Sequence, residues 1–338
     1  MWRALSVGYI AVCLAMSSAA AFAADAALVR GLVRNAWYWQ ARAREDKAAE
    51  AWKAVLAADP EQPDALAALG GLDARAGRLQ QARDALARVQ KIAPRHPDLA
   101  VLRREIELGP RFGALVTAAR KLVHEGRVDG GVAQYRQVFG GAGPPGDLAL
   151  EYFETLGGTR GGWDEARDGL RRLVSRVPDE ARFRLALGRL LTYRDETRRE
   201  GITMLADLAR DPTVSKQATA AWRQAVLWLG TSPADEPLLR AYVQAHPRDA
   251  AVAAALERCR RAGQVEEGFA ALHKDDPEAA SRHFAAAGDA PAARRGLALS
   301  RERAAALKRK AGFVALDRGD VAGAERIFAG ARGDPEAR

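Results

Sequence analysis

The chain has 338 residues with net charge +9, 48% hydrophobic and 28% charged residues, values that exclude a disordered chain. Aromatics are only 7% and alanine is about one residue in five, which excludes a mainly β protein and favours helices packed through small side chains. Two cysteines exclude a disulfide-stapled fold.

The amino terminus reads as a secretory signal. Arg3 gives a positive start, Ala4 to Met16 is apolar, and Ala21-Phe22-Ala23 is a small-residue cleavage site. Cleavage is expected after Ala23, which places the chain in the periplasm and removes Cys13 along with the signal. Export makes nucleic acid an unexpected partner despite the basic balance.

Repeats follow. Ala48, Trp52, Val55 and Pro60 recur 34 residues later as Ala82, Leu86, Val89 and Pro94. This is tetratricopeptide (TPR) spacing: two antiparallel helices, small residues where they cross and a proline that closes the unit. Leu69 and Gly70 supply the crossing in the first helix, and Pro94 ends the second because proline cannot continue a helix. Further units carry Tyr135; then Ala166, Leu170 and Pro178; then Gly188, Leu191 and, again 34 residues on, Pro212. Trp222–Leu229 with Pro237–Ala245 reads as a degenerate pair. Ala280, Phe284 and Ala287 read as a second helix without a good first one. Ala324 and Phe328 belong to the last unit, closed by Pro335. The expected fold is therefore an all-α superhelical solenoid of roughly seven helix pairs.

Residues 126–153, 162–170, 190–202 and 221–229 go beyond packing positions. The stretches Gly126-Arg-Val-Asp-Gly-Gly-Val-Ala-Gln-Tyr135, Gly162-Trp163-Asp-Glu-Ala166, Leu190-Leu-Thr-Tyr193-Arg-Asp-Glu-Thr-Arg198-Arg199 and Ala221-Trp222-Arg223-Gln224 resemble the periplasmic TPR region of one family, the C component of bacterial cellulose synthase, which serves cellulose export. The resemblance runs from about 110 to 260. It implies an array spanning the periplasm, joining the inner-membrane synthase to an outer-membrane β-barrel and helping the glucan leave the cell. A barrel needs at least eight strands of about ten alternating residues, and no stretch of this sequence has that pattern. The chain is thus expected to be either a shortened or split gene product or a short scaffold. The expected division is a signal at 1–23, N-terminal repeats at 24–110, repeats like those of the cellulose synthase C component at 111–260 and degenerate repeats at 261–338.

Catalytic chemistry has no clear carrier. Gly157-Gly-Thr-Arg-Gly-Gly162 is glycine-rich but lacks the Lys-Ser/Thr of a phosphate loop. The five histidines lack metal-ligand spacing, and Cys259 reads as a buried structural thiol. No cofactor is expected. Neutral glucan would be met by aromatic faces, so Trp37 and Trp222 are candidate glucan or partner contacts, while Trp39, Trp52 and Trp228 are assigned to repeat interfaces. Arg198 and Arg199 are candidates for a partner site or a repeat crosslink. The leading expectation is a non-catalytic periplasmic scaffold in cellulose biosynthesis and export. Its expected partners are synthase subunits or other envelope proteins, the nascent glucan, and a separate outer-membrane barrel. The alternatives are a general periplasmic TPR adaptor in envelope assembly and an enzyme acting on envelope polysaccharides.

Overall fold

The computed structural model describes residues 26–332, so the signal-peptide reading and Pro335 lie outside the described residues. Seventeen α-helices and no strands occur among them. The first runs from 26 to 40 (α1) and pairs in sequence with α2 (Glu45–Ala58). The next are α3 (Pro63–Arg75), α4 (Leu79–Ile92), α5 (Leu99–Leu108), α6 (Arg111–His124) and α7 (Val128–Phe139). They are followed by α8 (Ala149–Gly157), α9 (Trp163–Arg176) and α10 (Ala181–Leu191). Then come α11 (Asp195–Leu208), α12 (Ser215–Leu227) and α13 (Glu236–Ala245). The last four are α14 (Ala250–His273), α15 (Pro277–Ala286), α16 (Pro291–Asp317) and α17 (Val321–Arg332). This is the TPR class of helical repeat fold.

Local chemistry explains the hairpins. Pro94, Pro178 and Pro212 lie in the turns just beyond α4, α9 and α11. Gly77 turns the chain between α3 and α4 at φ 81°, a conformation that a Cβ would strain. Gly70 is buried where α3 crosses α4: a Cβ there would lie 2.9 Å from that of Ala85. Ala82, Tyr135, Ala166, Leu170, Gly188, Leu191 and Ala324 are buried, while Leu69, Leu86 and Phe328 are half-buried.

The chain forms two compact units, residues 26–193 with 211–214, and residues 194–210 with 215–332. The division falls inside what the repeat spacing reads as one unit, around Gly188 and Pro212. Within the first unit α10 packs on α8 and α9; within the second α11 packs on α12 and α13. Helix α5 is a further departure, a single helix between the α3–α4 and α6–α7 hairpins that the repeat arithmetic does not contain. Residue 260 lies in the interior of α14.

The second unit also corrects the reading of Phe284. Its first helix exists: α14 presents Gly268 and α16 presents Gly296, and the Phe284 ring fills the space that a Cβ at either glycine would need. Ala280, Ala287 and Ala293 complete that buried cluster. The ring-on-glycine contact recurs 44 residues later, with Phe328 of α17 against Gly312 of α16. Helices α14 and α16 have 24 and 27 residues, so this region keeps a longer period than the 34 residues seen earlier. No helix among the described residues is long and apolar enough to cross a membrane.

Candidate functional site

In a TPR array the first helices of successive hairpins line the inner face, and a ligand contact would be expected there. In the first unit that face is filled by protein. Trp37 of α1 is 5% exposed and stands edge-on to Trp52, ring centroids 5.4 Å apart. The Trp52 indole N–H donates to Gln40 Oε1 at 2.8 Å. Both rings share one core with Val177 and Phe183, more than a hundred residues along the chain. Trp37 is thus buried among core residues, and the Arg176 guanidinium lies 4.0 Å over its ring.

Two charged nodes surround this core. Arg176 donates to Asp98 at 2.6 and 3.1 Å and to Asp64 at 2.5 Å. His96 joins the node: its Nδ1 accepts from the Asp98 backbone N–H at 3.3 Å and its Nε2 lies 3.4 Å from Asp64. Burial raises the Asp64 carboxyl, but the hydrogen bonds from His96, Arg176 and Gln62 outweigh it and hold the group well below the carboxylate range. Asp64, His96 and Asp98 are metal-ligand types brought together by the fold, a grouping that sequence spacing could not show. Arg176 already binds both carboxylates, so the positive charge such a set would seek is supplied by the protein.

In the second node Arg75 bridges Glu105 at 2.6 Å, Asp147 at 2.7 Å and Glu45 at 3.2 Å. Burial pushes the Glu105 carboxyl up to about 7, against the pull of Arg75 and with the push of Asp147. Burial works against the Arg75 charge, and the two carboxylates more than offset it, so its guanidinium stays charged. Between the nodes and the tryptophans remains a cavity of about 40 Å³, room for one or two waters. Small-molecule pockets run to about 300–1,000 Å³, so a sugar ring has no seat there.

The second unit places the other candidates. Trp222 is 5% exposed, edge-on to Tyr242 at 4.8 Å and beside His246. Trp228, assigned from the sequence to a repeat interface, is 40% exposed, while the candidate contact Trp222 is buried. Arg198 is largely covered, pairing with Asp195 and donating to the Trp228 carbonyl at 3.4 Å. Arg199 is half-exposed and donates to the buried Asp235 carboxylate at 2.8 Å. Both arginines therefore tie α11 to the segment that follows α12. Cys259 is buried, its thiol directed at the Ser232 carbonyl 3.1 Å away. Desolvation pushes that thiol up, the opposite of what a nucleophile needs.

No protein-family model matches the chain. Relatives do. It is 38% identical over 295 residues to cellulose synthase operon protein C of Xanthomonas axonopodis pv. citri, covering 82% of this chain and 19% of the relative. The protein of that name from Pseudomonas fluorescens is 32% identical over 82% of this chain and 23% of its own length. The Escherichia coli protein of the same name is 27% identical over 64% of this chain. The chain thus spans about a fifth of the length of the relatives it matches. Among solved structures, the flexible tandem repeat domain of the C component of bacterial cellulose synthase aligns at TM-score 0.55 and 24% identity, covering 68% of this chain and 95% of that one. The chain is accordingly similar, over most of its length, to part of cellulose synthase operon protein C.

Proposed function

We propose that the chain is a non-catalytic scaffold of bacterial cellulose synthesis and export, working in the periplasm and holding synthase subunits or their envelope partners at fixed spacing. The observation that carries this reading is the 38% identity, over 82% of the chain, to a protein named for the cellulose synthase operon. The interior chemistry supports it. The buried carboxylates of the first unit are committed to arginines, and its aromatic rings are committed to one another. Glucan stacking then falls to the exposed indole of Trp228 rather than to Trp37 or Trp222.

Deleting the gene and measuring cellulose released by the cell tests the reading. Released cellulose is expected to fall severalfold, with recovery on complementation, and a tagged copy is expected to capture synthase subunits. Unchanged cellulose release would overturn it and leave a general envelope adaptor.

A further inference from the structure

The C-terminal part of the second unit contains a feature that the cellulose reading does not use. Helix α16 has 27 residues, against 10 in α15 and 12 in α17. Its Gly296 receives the Phe284 ring of α15, and its Gly312 receives the Phe328 ring of α17. Sixteen residues of helix separate those contacts by about 24 Å, whereas a helix with its side chains is about 10 Å across. The two short helices therefore do not close on each other. A groove of about 430 Å³ is left over the middle of α16, within the range of ligand-binding clefts and about ten times the space inside the first unit.

The lining sets the chemistry. The floor is made of small residues, Ser300 and Ala304 of α16 and Gly330 of α17. Ser300 turns its hydroxyl back to the Gly296 carbonyl at 2.8 Å, so the floor is satisfied as it stands. The walls carry Arg282 of α15 and Lys308 of α16, both exposed, with Arg301 on the same side and a single carboxylate, Glu278. Arg303, in the same basic stretch, is bound by Asp275 and does not line the groove. Among the described residues no aromatic ring lines the groove, so it offers nothing for a neutral sugar to stack on. A lipid surface is met by a convex face with apolar anchors, and this cationic surface is concave.

We propose that the groove between α15 and α17 docks an acidic segment of a partner polypeptide, its carboxylates meeting Arg282 and Lys308 and its backbone lying over the small-residue floor. A fixed concave array of cations raises the local concentration of an anionic chain and selects it by charge. The proposal stands apart from the cellulose reading and survives its failure.

The test uses the whole chain and a fluorescein-labelled twelve-residue peptide of alternating Glu and Ala, read by anisotropy at low salt. The probe is expected to bind with a Kd in the tens to hundreds of micromolar. Binding is expected to weaken at least tenfold in Arg282→Glu/Lys308→Glu, whose unchanged helical content and melting temperature show that it folds. The Lys53→Glu/Lys91→Glu variant makes the same change in net charge on exposed residues of the first unit and is expected to stay within twofold. A Gln-for-Glu peptide is expected not to bind. Equal weakening by both double variants, equal binding of the Gln peptide, or an effect of the groove variant on phosphatidylglycerol vesicles alone would overturn the proposal.

Discussion

The two units hold themselves together over different distances along the chain. In the first, Arg42 pairs with Glu180, Arg176 bonds Asp64 across 112 residues, and Arg182 donates to the Ala41 carbonyl. Trp37 and Trp52 share a core with Phe183. In the second, contacts join neighbours: Arg199 to Asp235, Arg223 to Asp249, Arg303 to Asp275, Phe284 to its two flanking glycines. A repeat array whose units touch only their neighbours is stable as a sum of local terms. The second unit fits that description. The first does not, because its ends are tied to each other, and tying the ends makes distant helices share one fate. The same difference sets the free surface: long-range contacts consume the inner face of the first unit, while local packing around a long helix leaves the second unit a groove.

The largest difference between the units is expected when one large ring is removed from each. Trp52 and Phe284 are both fully buried. Truncating either to alanine costs about 3–5 kcal/mol through lost burial and the cavity left behind. The costs are similar, but the reach differs. By hydrogen exchange, Trp52→Ala is expected to lower protection from α1 through α3 and also in α9 and α10. Phe284→Ala is expected to lower it in α14, α15 and α16 only. Spread of the Phe284 effect throughout its unit, or confinement of the Trp52 effect to α1–α3, would show that the two units do not differ in cooperativity.

Titration gives a second contrast, with opposite signs. Glu105 is 4% exposed and its carboxyl is raised to about 7 by burial. A carboxyl raised on folding is held protonated by the native state, so its contribution is fully present below the unfolded value near 4.5 and is lost as pH rises to 7. Arg75, Asp147 and Asp98 are the charged groups that act on it. Relative to Glu105→Gln, the natural chain should lose about 2–3 kcal/mol between pH 4.5 and 7, at about 1.4 kcal/mol for each tenfold difference in proton affinity between the folded and unfolded chain. In the second unit, hydrogen bonds from Arg240 and Arg260 hold the Glu236 carboxyl below its ordinary value. Its contribution is present above that value and lost as pH falls, so Glu236→Gln should separate from the natural chain in the other direction. Denaturant melts across pH 2–8 check both, and parallel curves for Glu105→Gln would remove the buried-node account.

What the sequence disclosed follows the same division between local and distant. Pro94, Pro178, Pro212, Gly70 and Ala82 are legible because each obeys a rule that involves only its own hairpin: end a helix here, let two helices approach there. Helix α5 escaped because its buried face includes Glu105, a charge at an apolar position, excused only by Arg75 thirty residues earlier. The division between Tyr193 and Arg194 escaped because a regular proline offset runs straight through it. The groove over α16 was foreshadowed only by the basic stretch near 301–310; the gap itself comes from the length of one helix relative to its two partners. Trp37 shows the limit most clearly. Helical periodicity places it away from its own hairpin, yet its ring stands edge-on to Trp52 of α2, and Val177 and Phe183 from the far end of the unit join the same core.

Trp222 and Trp228 differ more finely, since they lie six residues apart, one within α12 and one just beyond its end. Trp222 is buried against Tyr242 and His246, and its indole N–H has no hydrogen-bond partner. Removing it forfeits ring burial of several kcal/mol while relieving a donor that costs about 1–3 kcal/mol unsatisfied, so Trp222→Phe should destabilise less than Trp222→Ala. Trp228→Ala removes a ring that is 40% exposed and should destabilise the chain less than Trp222→Ala does. If Trp228 is the indole that stacks on glucan, that substitution should weaken retention of the protein on a cellulose column by more than its loss of stability accounts for. Trp222→Ala should lose retention only as it loses fold. Equal retention of Trp228→Ala and the natural chain would take glucan stacking away from this residue and leave the second unit to its protein partners.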